Sequence, residues 1–419
     1  MLALRALYHL LIWLMGAGLR IAAGFHARAR LLIAGRAQTW DRLATALATD
    51  KRPRIWVHCA SLGEFEQARN LIDAMAGLPS PPAIVVTFFS PSGYTIRHQY
   101  KHAAVVAYLP LDTTAHAHRL VELIQPRAMM LIRYELWLNL LRVLHQRQIP
   151  LILVAARIRA GSPFLRGMLA PLYREALRQM AHIFTQDTDT ARLLSDAGCS
   201  RISVSGDTRF DRVLANTALD TDLPGIRTFI SDRLCIIGGS VWKPETDLLL
   251  SAWEQLGAQL PICLILAPHE IHPEDIDRQI ARFPDVAIRY TAISHLSPAH
   301  RILWIDNIGM LSRLYAHADV AVVGGGWGSG LHNILEPAVF GKPVIWGPKY
   351  ERFPEAAELI RLGGGFSVRN TAEGVHCLQQ ILTKPELRDQ INRTNKTWIQ
   401  NGAGATEHIL SWCRTQQWF

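Results

Sequence analysis

Short apolar runs, each followed by a stretch with helical spacing, recur along most of this 419-residue chain, and that alternation narrows the fold more than any other feature. From Arg54 the runs IWVHCA (55–60), AIVVTFFS (83–90), VVAYLPL (105–111), RAMMLI (127–132), PLILVAA (150–156), IFTQD (183–187) and ISVSGD (202–207) read as strands. Helical patterns lie between them at 63–77, 114–124 and 135–147 and up to Ala197. The stretch Asp211 to Asp232 loses regularity, and a second series then opens at LCIIGGS (234–240). It continues through ICLILAP (262–268), RILWID (301–306), DVAVVGG (319–325) and PVIWGP (343–348). Strands alternating with helices are joined by crossovers, so an α/β fold with parallel, doubly wound sheets is expected. The length suits two domains. The break divides the chain into 31–215 and 233–419, with 216–232 as linker and 1–30 as a separate N-terminal helix.

The formal charge of +9 is concentrated at one end: residues 1–54 hold nine Arg/Lys against Asp41 and Asp50, which is +7. These charges surround residues 2–24, apolar apart from Arg5, His9 and Arg20, with Tyr8 and Trp13 as interfacial anchors. Between the two arginines the apolar run is short for a full span of about 20 residues. A helix lying in or dipping into the cytoplasmic leaflet, its flanking arginines meeting anionic headgroups, fits this pattern, and a buried N-terminal core helix is the other possibility. Nucleic acid is not an expected partner, because the basic residues flank an apolar helix and no aromatic–basic interleaving recurs. The six cysteines have neither C-x-x-C pairing nor metal-ligand spacing, and read as reduced core residues.

Three stretches carry candidate chemistry. Val322 to Pro348 (VVGGGWGSGLHNILEPAVFGKPVIWGP) has a strand ending in three glycines and a helix opening at His332-Asn333, with Glu336 one turn in. Glycines let backbone approach a ligand, helix-start N–H groups favour anions, and the carboxylate is placed to accept from ribose hydroxyls; a tight turn without a ligand has the same letters. In His58 to Glu66, Glu64 falls in the first turn of a helix after a strand. There the helix dipole is expected to keep it ionised and able to take a proton from a hydroxyl; a capping box with Ser61 is the structural alternative. Glu135, in Arg133-Tyr134-Glu135-Leu136-Trp137, reads as a second helix-start carboxylate after a strand.

Together these motifs resemble the 3-deoxy-D-manno-octulosonic acid (Kdo) transferase family of lipopolysaccharide inner-core synthesis. The likeness rests on W-V-H-x-x-S-L-G-E, Y-E-L-W, G-D-T-R-F-D at 206–211, G-x-H-N-x-L-E-P and F-G-K-P-V-x-x-G-P, in order along the chain. It implies two Rossmann-like domains facing a cleft, the GT-B glycosyltransferase type, with an N-terminal membrane-associated helix. It implies Kdo transfer from CMP-Kdo to a lipid A precursor at the cytoplasmic side of the inner membrane, with no cofactor beyond the donor. By matching position, the resemblance makes Glu64 the catalytic base and gives Glu135 an acceptor-side role. The CMP moiety would be held by Pro268 and His269, by Ile308, Gly309 and Met310, and by Asn333, Ile334, Leu335 and Glu336. His269 stands where many members have Arg, and the segment Ala267 to Pro273 is two residues longer than usual, so either His269 or His272 is available to face the phosphate. No metal is expected: a nucleoside monophosphate is already a good leaving group if protein dipoles and a cation receive it. Neither His116-x-His118 nor His269-x-x-His272 has a carboxylate or Cys completing a ligand set. Asp187-x-Asp189 has D-x-D letters, at the far end of the first half, where it reads as a helix cap.

Overall fold

The computed structural model describes residues 1–328 and 330–419, so Ser329 of the glycine-rich loop lies outside the described residues. The chain forms two compact units, Met1–Arg212 with Gly402–Phe419, and Val213–Asn401. The first contains β1 (Arg54–Cys59), β2 (Ala83–Phe88), β3 (Val105–Tyr108), β4 (Ala128–Ile132), β5 (Leu151–Ala156), β6 (His182–Thr185) and β7 (Ile202–Val204). The second contains β8 (Leu234–Val241), β9 (Ile262–Pro268), β10 (Ala287–Arg289), β11 (Ile302–Trp304), β12 (Val320–Val323), β13 (Val344–Trp346) and β14 (Gly365–Ser367).

Both sheets are parallel and seven-stranded, in the orders β3-β2-β1-β4-β5-β6-β7 and β10-β11-β9-β8-β12-β13-β14. Helices cover both faces, which is why the strands are continuous apolar runs rather than alternating ones. Successive side chains still point to opposite faces: Trp56, Val85, Met129 and Leu131 enter one core, and Ile55, Val57, Ile84, Val86 and Met130 the other. In the first sheet the winding reverses between β1 and β4, in the second between β8 and β12. Such switch points leave a crevice at the carboxyl ends of the strands, where open α/β sheets take ligands. The edge strands β10 and β14 are three residues each and were not anticipated, being too short to show a period.

Two expected boundaries need correction. Residues 402–419 do not belong with 233–401: helix Ala405–Thr415 inserts Ile409, Leu410 and Cys413 into the first unit's core. The Asp211 carboxylate fixes that return, accepting from the amides of Gly404 and Thr406, both at 2.6 Å. Nor is 216–232 a bare linker, since Leu223, Ile226 and Phe229 are buried in the second unit and the last two lie on the helix Ile226–Ile230.

The N-terminal segment is two helices, Leu2–Ala23 and Ala27–Ala37. The first is long and apolar enough to cross a membrane by length and composition. It packs one stripe on the first unit: Tyr8 and Ile12 are buried, Gly16 lies against Leu111, and the Tyr8 hydroxyl donates to Asp112 at 2.6 Å. Leu10, Leu11, Trp13, Leu14 and Ile21 remain exposed.

Candidate active site

At the first unit's switch point, β1 ends and Ser61 opens the helix Leu62–Ala76, which puts Glu64 at the third helical position. The Glu64 carboxylate turns back to accept from the amides of Ala60 and of the N-cap Ser61, whereas the Ser61 hydroxyl makes no capping bond, so only the Glu half of a capping box forms. Glu64 is 6% exposed. Burial raises its pKa to about 7, with the neighbouring Glu135 pushing the same way, while the Ala60 amide, Arg133 and the Ser61 amide pull it down. The expectation that the helix dipole keeps Glu64 ionised is therefore corrected. Desolvation by the fold outweighs the dipole, and at neutral pH the carboxyl is divided between its two forms.

Glu135 follows β4, the strand beside β1, but lies in a loop rather than in the first helical turn, because the next helix is Leu138–Gln146. Burial raises its pKa too. Arg133 takes a left-handed backbone (φ 66°) at the end of β4, and its Nε is buried without a hydrogen-bond partner. Non-glycine residues held this way concentrate at functional sites.

Beneath this edge runs a buried relay the sequence does not show. Trp137 Nε1 donates to His58 Nε2 at 3.2 Å, which leaves the ring proton on Nδ1, facing Thr87 Oγ1 at 2.9 Å. Trp56 Nε1 donates to the same hydroxyl at 2.8 Å. Burial depresses the His58 pKa to about 3, so this histidine is a neutral strut that fixes Trp137. Trp137 in turn stacks on Phe89 at 4.6 Å. Trp56, His58 and Trp137 belong to recognisable motifs; Thr87 and Phe89 come from β2 and the loop after it, and nothing in their spacing links them to the site.

In the second unit the glycines permit close approach of strand ends. A Cβ on Gly324 would overlap the Ser240 carbonyl, and one on Gly326 the Gly347 backbone. The fully buried Glu245 ties this together, accepting from the Trp242 amide at 3.0 Å through one oxygen and from the Gly325 amide at 2.8 Å through the other. Glu245 went unselected in the sequence. Its signal is Trp242-Lys243-Pro244-Glu245, a helix start with Pro followed by Glu, which opens the helix Lys243–Leu256.

The helix expected at His332-Asn333 begins later and is brief, Leu335–Ala338. Asn333 organises its entry: Oδ1 accepts from the Leu335 amide at 3.2 Å and Nδ2 donates to Glu336 at 3.1 Å. Ile334 and Leu335 are buried beneath. The His332 ring stacks on His269 at 4.4 Å and accepts from Trp242 Nε1 at 3.3 Å, and Trp242 lies 4.5 Å from His269. Burial and the adjacent His269 lower the His332 pKa to about 4. His269, just past Pro268 at the end of β9, thus joins the glycine loop, whereas His272 pairs with Glu270 at 3.2 Å on an exposed surface. Ile308 is 92% exposed, Gly309 has φ 94°, and Met310 is buried in the same apolar cluster as Tyr315.

Among the described residues no group of three His, Cys, Asp or Glu is placed to hold a metal ion. Asp187 caps the helix Thr188–Asp196, accepting from the Thr190 amide at 2.6 Å.

Two doubly wound units with candidate sites at their switch points define an α/β protein of GT-B type. The likeness to solved structures agrees: a UDP-N-acetylglucosamine 2-epimerase matches with TM-score 0.61 at 14% identity, over 88% of this chain and 98% of that one. The Neisseria meningitidis UDP-GlcNAc 2-epimerase matches with TM-score 0.59 at 13% identity, over 85% and 98%. At such identities the likeness shows the fold alone. In sequence, residues 37–212 match the family described as 3-deoxy-D-manno-octulosonic-acid transferase (kdotransferase). The 3-deoxy-D-manno-octulosonic acid transferase of Bordetella pertussis is 30% identical over 85% of this chain and 86% of that protein, and that of Haemophilus influenzae 27% identical over 85% of each. The chain belongs to the Kdo transferase family of glycosyltransferases.

Proposed function

We propose that this protein is an inverting transferase that moves Kdo from CMP-Kdo to a lipid A precursor, lipid IVA, with Glu64 as the base. The observation that carries this is the placement of Glu64, a buried carboxyl with pKa near 7 at the switch point of the first unit, beside Arg133 and Glu135. A base is most effective when its pKa lies near the working pH, so that the ionised form is present and still draws the proton. The acceptor hydroxyl gives its proton to Glu64 as its oxygen bonds to the anomeric carbon of Kdo; the bond to the phosphate oxygen breaks, and CMP leaves with the electron pair. Attack opposite the leaving group inverts that carbon. Glu135 and Arg133 orient the acceptor.

The second unit supplies the donor site. Asn333 and Glu336 would hold the ribose, and the loop amides with His269 would receive the phosphate, in a reaction that needs no metal. Pro268, Ile308, Gly309, Met310, Ile334 and Leu335 shape its walls. The exposed apolar face of helix Leu2–Ala23 and the arginines after it would hold the protein at the cytoplasmic side of the inner membrane, against anionic lipids.

The direct test is incubation with CMP-Kdo and a tetraacylated lipid A precursor in EDTA, with product mass read by mass spectrometry. Added Kdo mass is expected. Transfer from a UDP-sugar instead would assign another donor, and activity that returns only with magnesium or manganese would overturn the metal-free mechanism.

A further inference from the structure

A cavity of about 200 Å³ opens at the seam between the N-terminal helix and the rest of the first unit, and it shares no lining residue with the Glu64 edge. Helix Leu2–Ala23 contributes Arg5 and Tyr8, helix Leu138–Gln146 contributes Arg142 and His145, and helix Ala170–Arg178 contributes Glu175. The seam is built, not a packing fault. The Tyr8 hydroxyl donates to buried Asp112 at 2.6 Å and accepts from the Leu138 amide at 3.2 Å.

The charges around it are unevenly satisfied. Arg5 Nη2 lies 3.4 Å from both oxygens of Glu175. Arg142 has no ion pair among the described residues, and its Nε is buried without a hydrogen-bond partner. Arg142 lines the cavity, and the planar fork of a guanidinium fits the oxygens of a phosphate. The volume falls below the roughly 300–1,000 Å³ of ordinary small-molecule pockets, so it suits a phosphate group rather than a whole nucleotide. The helix that forms one wall presents exposed Leu10, Trp13, Leu14 and Ile21, the side chains that would enter a bilayer.

We propose that this cavity binds the phosphate of an anionic membrane lipid, with Arg142 as its principal ligand and Arg5 shared between the phosphate and Glu175. The site is separate from Kdo transfer, and its test needs no enzymatic activity.

Full-length protein diluted from detergent is offered vesicles of phosphatidylcholine, with or without one-fifth phosphatidylglycerol, in 0.5 M NaCl to screen diffuse attraction. Wild type should favour the anionic vesicles, and Arg142→Gln should reduce that preference about tenfold, the loss of one direct hydrogen bond to a charged group. Arg142→Lys, which keeps the charge and loses the fork, should fall between and serves if the Gln variant fails to fold. Arg192→Gln, an exposed arginine on helix Thr188–Asp196 and away from the N-terminal segment, should change nothing. Equal loss in the Arg192 and Arg142 variants, or an Arg142 variant indistinguishable from wild type, would overturn the proposal. So would inorganic phosphate that raises the wild-type melting temperature, but not that of Arg142→Gln, while vesicle preference stays intact in both; that pattern describes a free-anion site.

Discussion

The two switch points share a topology and differ in chemistry. At the first, between β1 and β4, a buried and a half-buried carboxyl stand near one arginine, and burial raises the pKa of both. At the second, between β8 and β12, the buried carboxylate of Glu245 is spent on backbone amides, and the surface is glycine backbone, stacked imidazoles and an Asn–Glu pair. Desolvation thus does opposite jobs. In the first unit it raises the pKa of Glu64 into the neutral range; in the second it lowers the pKa of His332 and keeps that ring neutral within a stack. Doubly wound sheets offer the same crevice twice, and side-chain chemistry gives one an ionisable carboxyl near neutral pH and the other glycine backbone and neutral rings.

The contrast breaks most visibly at Glu64. Glu64→Gln should lower turnover by about 10²–10⁴-fold, the usual worth of a placed base, while calorimetry finds CMP affinity unchanged. Equal loss of CMP binding would mean that the two edges are not chemically separate. Glu336→Ala reverses the pattern: CMP affinity should fall by about 1.5–3 kcal/mol. Retained affinity would move the nucleotide off the Asn333 turn. Gly324→Ala drives a Cβ into the Ser240 carbonyl, and should cost about 1–3 kcal/mol in denaturant stability with donor binding lost alongside. Normal stability there would show that β8 and β12 can part without harm.

The smallest effect concerns pH. Glu64 binds its proton more tightly in the folded protein, near 7, than at its ordinary value of 4.5, so its contribution to stability is best below about 4.5 and declines as pH rises through 7. Glu64→Gln should remove that decline and gain about 1–3 kcal/mol on wild type between pH 5 and pH 8 in urea melts. A parallel pH dependence of the two proteins would deny the raised pKa. Glu66, two residues on, pairs with Arg97 at 2.7 Å and with Arg69 at 3.4 Å, so Glu66→Gln would lose these ion pairs and is not a neutral comparison.

The fold was legible because strands covered on both faces become apolar runs that need no partner to be recognised. The places of Glu64, Asn333 and Glu336 at or near helix starts were legible for a related reason, since a helix start after a strand is a local boundary. What escaped depends on distance through space. The Trp56–Thr87–His58–Trp137 relay joins three segments, and the stacking of His332 on His269 joins residues from different strand ends. The ionisation of Glu64 was misjudged for the same cause, because the dipole belongs to its own helix whereas desolvation belongs to everything packed around it. The return of residues 402–419 escaped too, since an amphipathic helix does not state which sheet it will cover.

That return makes the second unit an insertion within the first, entered at residue 212 and left at residue 402. On the ribosome the inserted unit is whole once Asn401 has emerged, while the unit that began first still lacks Ile409, Leu410 and Cys413 over its sheet. The nascent chain therefore finishes from the inside outwards, and until its last helix arrives the older half presents an uncovered apolar face to the cytosol's chaperones.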